Sequence, residues 1–78
     1  MGIKKLYYID KEQNEHFVKQ NQDLNELFKY MNEDINKRHL KCNELTRNWV
    51  DERGLWIDFG SWTEFYLIEG ATLEDLCK

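Results

Sequence analysis

After Ile3, two lysines and then an unbroken apolar and aromatic run lead to Ile9, where Leu6, Tyr7, Tyr8 and Ile9 are all strand-favouring types. The polar stretch Asp10-Lys11-Glu12-Gln13-Asn14 follows, and then His16-Phe17-Val18. This pattern predicts a β-hairpin with a loop of four or five residues. Asp23, with Glu26 three residues on, has the spacing of a capping box, its carboxylate free to accept from the unpaired N–H groups of a first helical turn. From there Leu24, Leu27, Phe28, Met31 and Ile35 recur at three- and four-residue steps, while Asn25, Lys29, Asn32 and Glu33 take the opposite side. That is one face of an amphipathic helix.

No Gly or Pro marks the end of this helix, and its rhythm can be continued through Arg38, Cys42, Leu45 and Trp49. A single helix of about 28 residues would be about 42 Å long at 1.5 Å per residue, which is long for so small a domain. The helix is therefore expected to end near Cys42-Asn43. Asp51-Glu52-Arg53-Gly54 reads as a turn with a left-handed Gly, joining a strand at Leu45 to Val50 with one at Leu55 to Phe59. Gly60-Ser61 then serves as a two-residue turn into a strand at Trp62 to Ile68. Thr72, with Asp75 three residues later, begins a short final helix. The expected fold is α+β: a small antiparallel sheet, made of an N-terminal hairpin and a C-terminal two- or three-stranded meander, packed on one main amphipathic helix with a short C-terminal helix.

Length limits this to a single domain over 1–78, since 78 residues support one hydrophobic core. With 41% hydrophobic and 33% charged residues, the chain lies within globular composition and away from that of disordered proteins. No apolar run approaches the ~20 residues of a membrane span, and the N-terminal segment lacks the apolar stretch of a secretory signal. Two cysteines, Cys42 and Cys77, fall short of a secreted disulfide framework, so both are read as reduced thiols and the protein as cytoplasmic. Frequent Asn and Lys with no Pro is a composition common in AT-rich bacteria and their phages.

The last hairpin carries more apolar surface than one helix can cover. Leu55, Ile57, Phe59, Trp62, Tyr66 and Ile68 fall on one face of its alternation. Trp56, Phe65 and Leu67 fall on the other, with Asp58 and Thr63. Either the C-terminal segment folds over this second face through Leu73 and Leu76, or Trp56, Phe65, Leu67 and Asp58 form a protein interface, with another protein or with a second copy as partner.

Other chemistry is thinner. Cys42, Cys77, His16 and His39 supply zinc-ligand types without paired spacing, so no metal or cofactor is expected. No third group marks a Cys–His nucleophile, and no phosphate loop or nucleophile elbow is present. Asp58, between Ile57 and Phe59, is the one carboxylate in a strongly apolar stretch, and a turn or strand pairing accounts for it more simply than catalysis. The chain is therefore read as non-enzymatic. Lys37, Arg38, Lys41 and Arg47, with Trp49 nearby, have the make-up of a single-strand nucleic-acid contact, although cations at a helix end also complement its dipole. The net charge of −4 disfavours nucleic acid. The converse reading is an inhibitor of a nucleic-acid-processing protein that presents carboxylates in place of phosphates. Segment 10–36 has seven acids against three lysines, and 54–78 five against one.

Overall fold

The computed structural model describes residues 2–40, 47–60 and 63–76. Its elements are β1 (Lys4–Ile9), β2 (Glu15–Asn21), α1 (Leu24–Lys37), β3 (Arg47–Val50), β4 (Gly54–Asp58), β5 (Phe65–Glu69) and α2 (Leu73–Leu76). The five strands form one antiparallel sheet in the order β2-β1-β5-β4-β3. The expected α+β architecture is therefore present. The pairing of β1 with β5 fuses the N-terminal hairpin and the C-terminal meander into a continuous sheet.

Local chemistry fixes most of the corners. In the loop between β1 and β2, Asp10 Oδ1 accepts from the N–H groups of Glu12 and Asn14, both at 2.9 Å, while Gln13 turns through a left-handed φ of 70°. Asp23 caps α1 by accepting from the Asn25 N–H at 2.9 Å. Glu26 does not return the contact expected of a capping box, because Asn21 Oδ1 takes the Asp23 N–H and Glu26 faces Lys29. At the second expected box the return half forms: Asp75 Oδ2 accepts from the Thr72 N–H at 2.8 Å and from its hydroxyl at 3.1 Å, while the Asp75 N–H donates to the Thr72 carbonyl.

Two boundaries differ from expectation. Helix α1 stops at Lys37 rather than near Cys42-Asn43. His39 takes a left-handed φ of 57°, its N–H reaches Asn36 O, and the Leu40 N–H reaches Ile35 O at 3.0 Å. This is a Schellman stop with His in the place usually held by Gly, and Leu40 packs back against the core. The strands on either side of the expected Gly60-Ser61 turn are shorter than expected, since β4 ends at Asp58 and β5 begins at Phe65, and the turn itself falls outside the described residues at Ser61. Asp58 Oδ1 captures the Gly60 N–H at 2.9 Å and Phe59 plunges into the core, so the chain leaves the ladder early. Ser61, Trp62, Leu45, Cys42 and Cys77 lie outside the described residues.

The turn from β3 to β4 is closed by Asp51, whose Oδ1 accepts from the N–H groups of Arg53 and Gly54. Gly54 has a φ of 147°, and a Cβ there would collide with the Ile68 carbonyl oxygen on β5, so glycine is required.

The core lies between α1 and one face of the sheet. Leu6 and Tyr8 from β1, Leu55 and Ile57 from β4, Phe59, and Tyr66 and Ile68 from β5 meet Leu27 and Ile35 of the helix. Burying seven such sheet side chains stabilises the fold by roughly 1.5–3 kcal/mol each, before the entropy of ordering is subtracted.

Candidate functional site

Because strand side chains alternate, the face opposite α1 carries Tyr7, Phe17, Trp49, Trp56, Phe65 and Leu67. The pairing register lines five of them up in a row across all five strands: Phe17 with Tyr7, Tyr7 with Leu67, Leu67 with Trp56, and Trp56 with Trp49. Four inter-strand steps make this row about 19 Å long. Its centre is closed and its ends are open: Leu67 is fully buried, whereas Phe17 is 55% and Trp49 42% exposed.

An ion-pair bridge crosses the middle of this face. Arg53, in the β3–β4 turn, presents both terminal nitrogens to Glu15 at the start of β2, at 2.8 and 2.9 Å. It also reaches Glu69 of β5 at 3.3 Å, and its guanidinium lies 5.9 Å from the centre of the Trp56 ring. The link thus runs from β4 to β2 over the two strands between them, β5 and β1. Twisted sheets raise two opposite corners toward each other, which brings such distant ends within reach. The hydrogen bonds from Arg53 hold the Glu15 carboxyl below its usual range, and the same bonds push the guanidinium pKa up.

On the β3 side of the bridge the rings form a cluster. Trp49 and Trp56 stack nearly parallel at 6.2 Å, and Trp49 meets Phe65 edge-on at 5.8 Å. The indole N–H of Trp56 donates to Asp51 Oδ2 at 2.8 Å, which holds the ring in place. Arg47 flanks the cluster, its Nη2 donating to Asp58 Oδ2 at 3.2 Å while its side chain stays 83% exposed. Asp58 is buried and satisfied by Arg47 and the Gly60 N–H, so its contacts are those of a turn and a strand pair.

The sequence-derived interface set is therefore gathered on one face. Trp56 and Phe65 are half-buried in the ring cluster, Asp58 lies at its rim, and Leu67 lies beneath it without reaching the surface. Leu73 is exposed and does not supply the cover expected of the C-terminal segment, and the Leu76 side chain lies outside those described. Ala71 enters the helix-side core, and Lys4, whose Nζ lies 3.7 Å from Asp75 Oδ1, ties α2 to the same side.

The basic set is dispersed. Lys37 is exposed on the last turn of α1. Arg38 is committed to Asp34, with Nε to Oδ2 at 2.6 Å, and its guanidinium lies 4.2 Å over the Tyr8 ring. Arg47 sits on the opposite side of the sheet, and Lys41 lies outside the described residues.

Sequence reasoning missed the polar network beneath the end of α1. The Tyr66 hydroxyl donates to Asp34 Oδ2 at 2.6 Å, beside the Arg38 contact, and the Tyr8 hydroxyl donates to Glu64. Burial, then the carboxylate partner, raises both phenols, Tyr8 to about 12 and Tyr66 further. Burial pulls the Arg38 pKa down, but the Asp34 contact outweighs it and the net shift is upward. Among the described residues no group of three or more His, Cys, Asp or Glu side chains could hold a metal ion, and no helix is long and apolar enough to cross a membrane.

Comparison with known proteins gives no match to a family model, a curated protein or a solved structure.

Proposed function

We propose that this chain is a non-enzymatic protein-interaction module, and that it docks through the β3 side of the face opposite α1. The contact patch is Trp49 with Trp56 and Phe65 beneath it and Arg47 beside it. One observation carries this reading: a Trp is held open to solvent by stacking on a second Trp, next to a guanidinium that is mostly exposed. Trp and Arg are the residue types that most often dominate binding energy at protein interfaces, because they present large contact areas of fixed shape. An acidic phosphate-mimicking surface has less support, since Asp10, Glu15, Asp34, Asp58, Glu69 and Asp75 are all engaged in ion pairs within the chain.

The partner is another protein or a second copy, and solution mass together with binding assays separates the two. Light scattering at two protein concentrations, in roughly 50 mM and 500 mM salt, reads self-association, and contact through rings is expected to persist at the higher salt. Trp49→Ala should cut association at least about tenfold, the loss of one central aromatic contact. A variant that associates with itself and with captured partners as the parent protein does would refute the assignment.

A further inference from the structure

We propose that the groove between α1 and the free edge of β2 binds an extended peptide that carries acidic side chains. Strand β2 ends the sheet, so among the described residues only β1 pairs with it and its outer N–H and C=O groups have no strand partner. Beside that edge lies a groove of about 220 Å³, lined by Val18 and Lys19 of β2 and by Tyr30, Glu33, Asp34 and Lys37 of α1. The helical members are spaced three, one and three residues apart, a single stripe facing the strand. The register shift between Leu6 and Tyr7 leaves Val18 as the extra residue of a bulge, half-buried against the core. An exposed strand edge walled by a helix is the geometry in which a peptide adds as a further strand, with its backbone supplying affinity and its side chains specificity.

Charge selects the occupant. Lys19 lies over the Tyr30 ring at 4.9 Å and, like Lys37, is in no ion pair among the described residues. Asp34 is already bonded to Tyr66 and Arg38, so among the described residues Glu33 is the one uncommitted acid of the groove. Two turns of helix, a rise of about 10 Å, separate Tyr30, over which Lys19 lies, from Lys37. Two acidic residues four apart on an extended strand are about 13 Å apart and on the same face, within reach of both lysines. A second copy paired through β2 about a two-fold axis fits less well, because it would bring the Glu33–Asp34 pairs of the two helices toward each other.

The test is an amide-resolved NMR titration with a capped heptapeptide, Thr-Glu-Val-Thr-Val-Glu-Thr, and its counterpart with Lys in place of both Glu. The expected result is shift changes at Val18, Lys19, Tyr30 and Lys37 with the acidic peptide only. Charge reversal by Lys19→Glu with Lys37→Glu should weaken that peptide about tenfold and create binding of the lysine peptide, with the spectrum away from the groove unchanged. Lys37→Gln alone, a milder change, should weaken the acidic peptide about threefold. Equal affinity for both peptides, no binding of either, or shifts centred on Trp49 and Trp56 would overturn the proposal. Trp49→Ala should leave peptide affinity unaltered, so this groove and the aromatic patch stand or fall separately.

Discussion

Replacing Tyr66 by Phe isolates one hydrogen bond in an otherwise unchanged core. The Tyr66 ring is fully buried between Tyr8 and Phe59, with ring centres 5.5 Å from each, and Phe keeps those contacts. Lost is the hydroxyl that donates to Asp34 Oδ2 at 2.6 Å. A hydrogen bond to a charged group contributes about 1.5–3 kcal/mol net. Asp34 keeps Arg38, and its side chain retains 12% exposure to water, which places the cost at the lower end, about 1.5–2 kcal/mol. For a two-state domain of this size that lowers Tm by roughly 6–15 °C. Urea unfolding followed by Trp fluorescence gives the free energy directly. A double-mutant cycle with Asp34→Asn should return a coupling of about 1–2 kcal/mol, because the two groups share one bond. A Tyr66→Phe variant within about 0.5 kcal/mol of the parent, or a coupling near zero, would mean that the hydroxyl does not rest on Asp34.

Arg53→Met retains the apolar stem but removes the bridge to Glu15 and Glu69; all three side chains are partly exposed, so the cost should be about 1 kcal/mol at low salt and should shrink in 1 M salt. A loss of stability independent of salt would show that the stem, not the charge, covers the second face. Hydrogen bonds from His16 first, then from the Asn14 and Glu12 N–H groups, hold the Asp10 carboxyl down at about 2. Its folded value lies below its unfolded one, so its contribution is present above about pH 4 and is lost as pH falls toward 2. Asp10→Asn should therefore flatten the fall in urea midpoint across that window, and an unchanged slope would exclude this carboxylate from the acid transition.

Elements whose local signal is carried by the usual residue types were legible in the sequence; those set by an unusual residue, by a local competition or by distant pairing were not. The Asp23 cap, the Asp10 loop and the Thr72–Asp75 box each close within a few residues, so spacing alone locates them. Alternation likewise sorted Leu55, Ile57, Phe59, Tyr66 and Ile68 from Trp56, Phe65 and Leu67. The helix end was misplaced because His39 adopts a conformation that sequence reading expects of Gly. The early exit from β4 depends on the choice of Asp58 to bond Gly60, which competes with the ladder at little energetic difference. Trp49 was grouped with the basic cluster, although its odd-numbered position beside Arg47 on a strand turning at Asp51–Gly54 already implied a place next to Trp56. The Arg53–Glu15 bridge joins residues 38 apart, and no local signal announces it.

The bridge also bears on how the protein can bind. A sheet with two apolar faces needs two covers, and α1 is one. On the other face the Arg53 link, anchored on both Glu15 and Glu69, holds charge over the strands that carry Tyr7 and Leu67, and leaves Phe17 and Trp49 as the open ends of the aromatic row. The two ends are not equivalent. Phe17 has Tyr7 edge-on at 5.8 Å as its ring neighbour, whereas Trp49 has Trp56 and Phe65 together with the exposed Arg47. A partner confined to the β3 side meets a few rings and a guanidinium, well under the ~800 Å² per partner of a stable complex. Contact at that patch alone should therefore be transient, with dissociation rather than encounter limiting its strength. Any long-lived assembly has to recruit a second surface, and the edge of β2 lies at the far end of the same sheet.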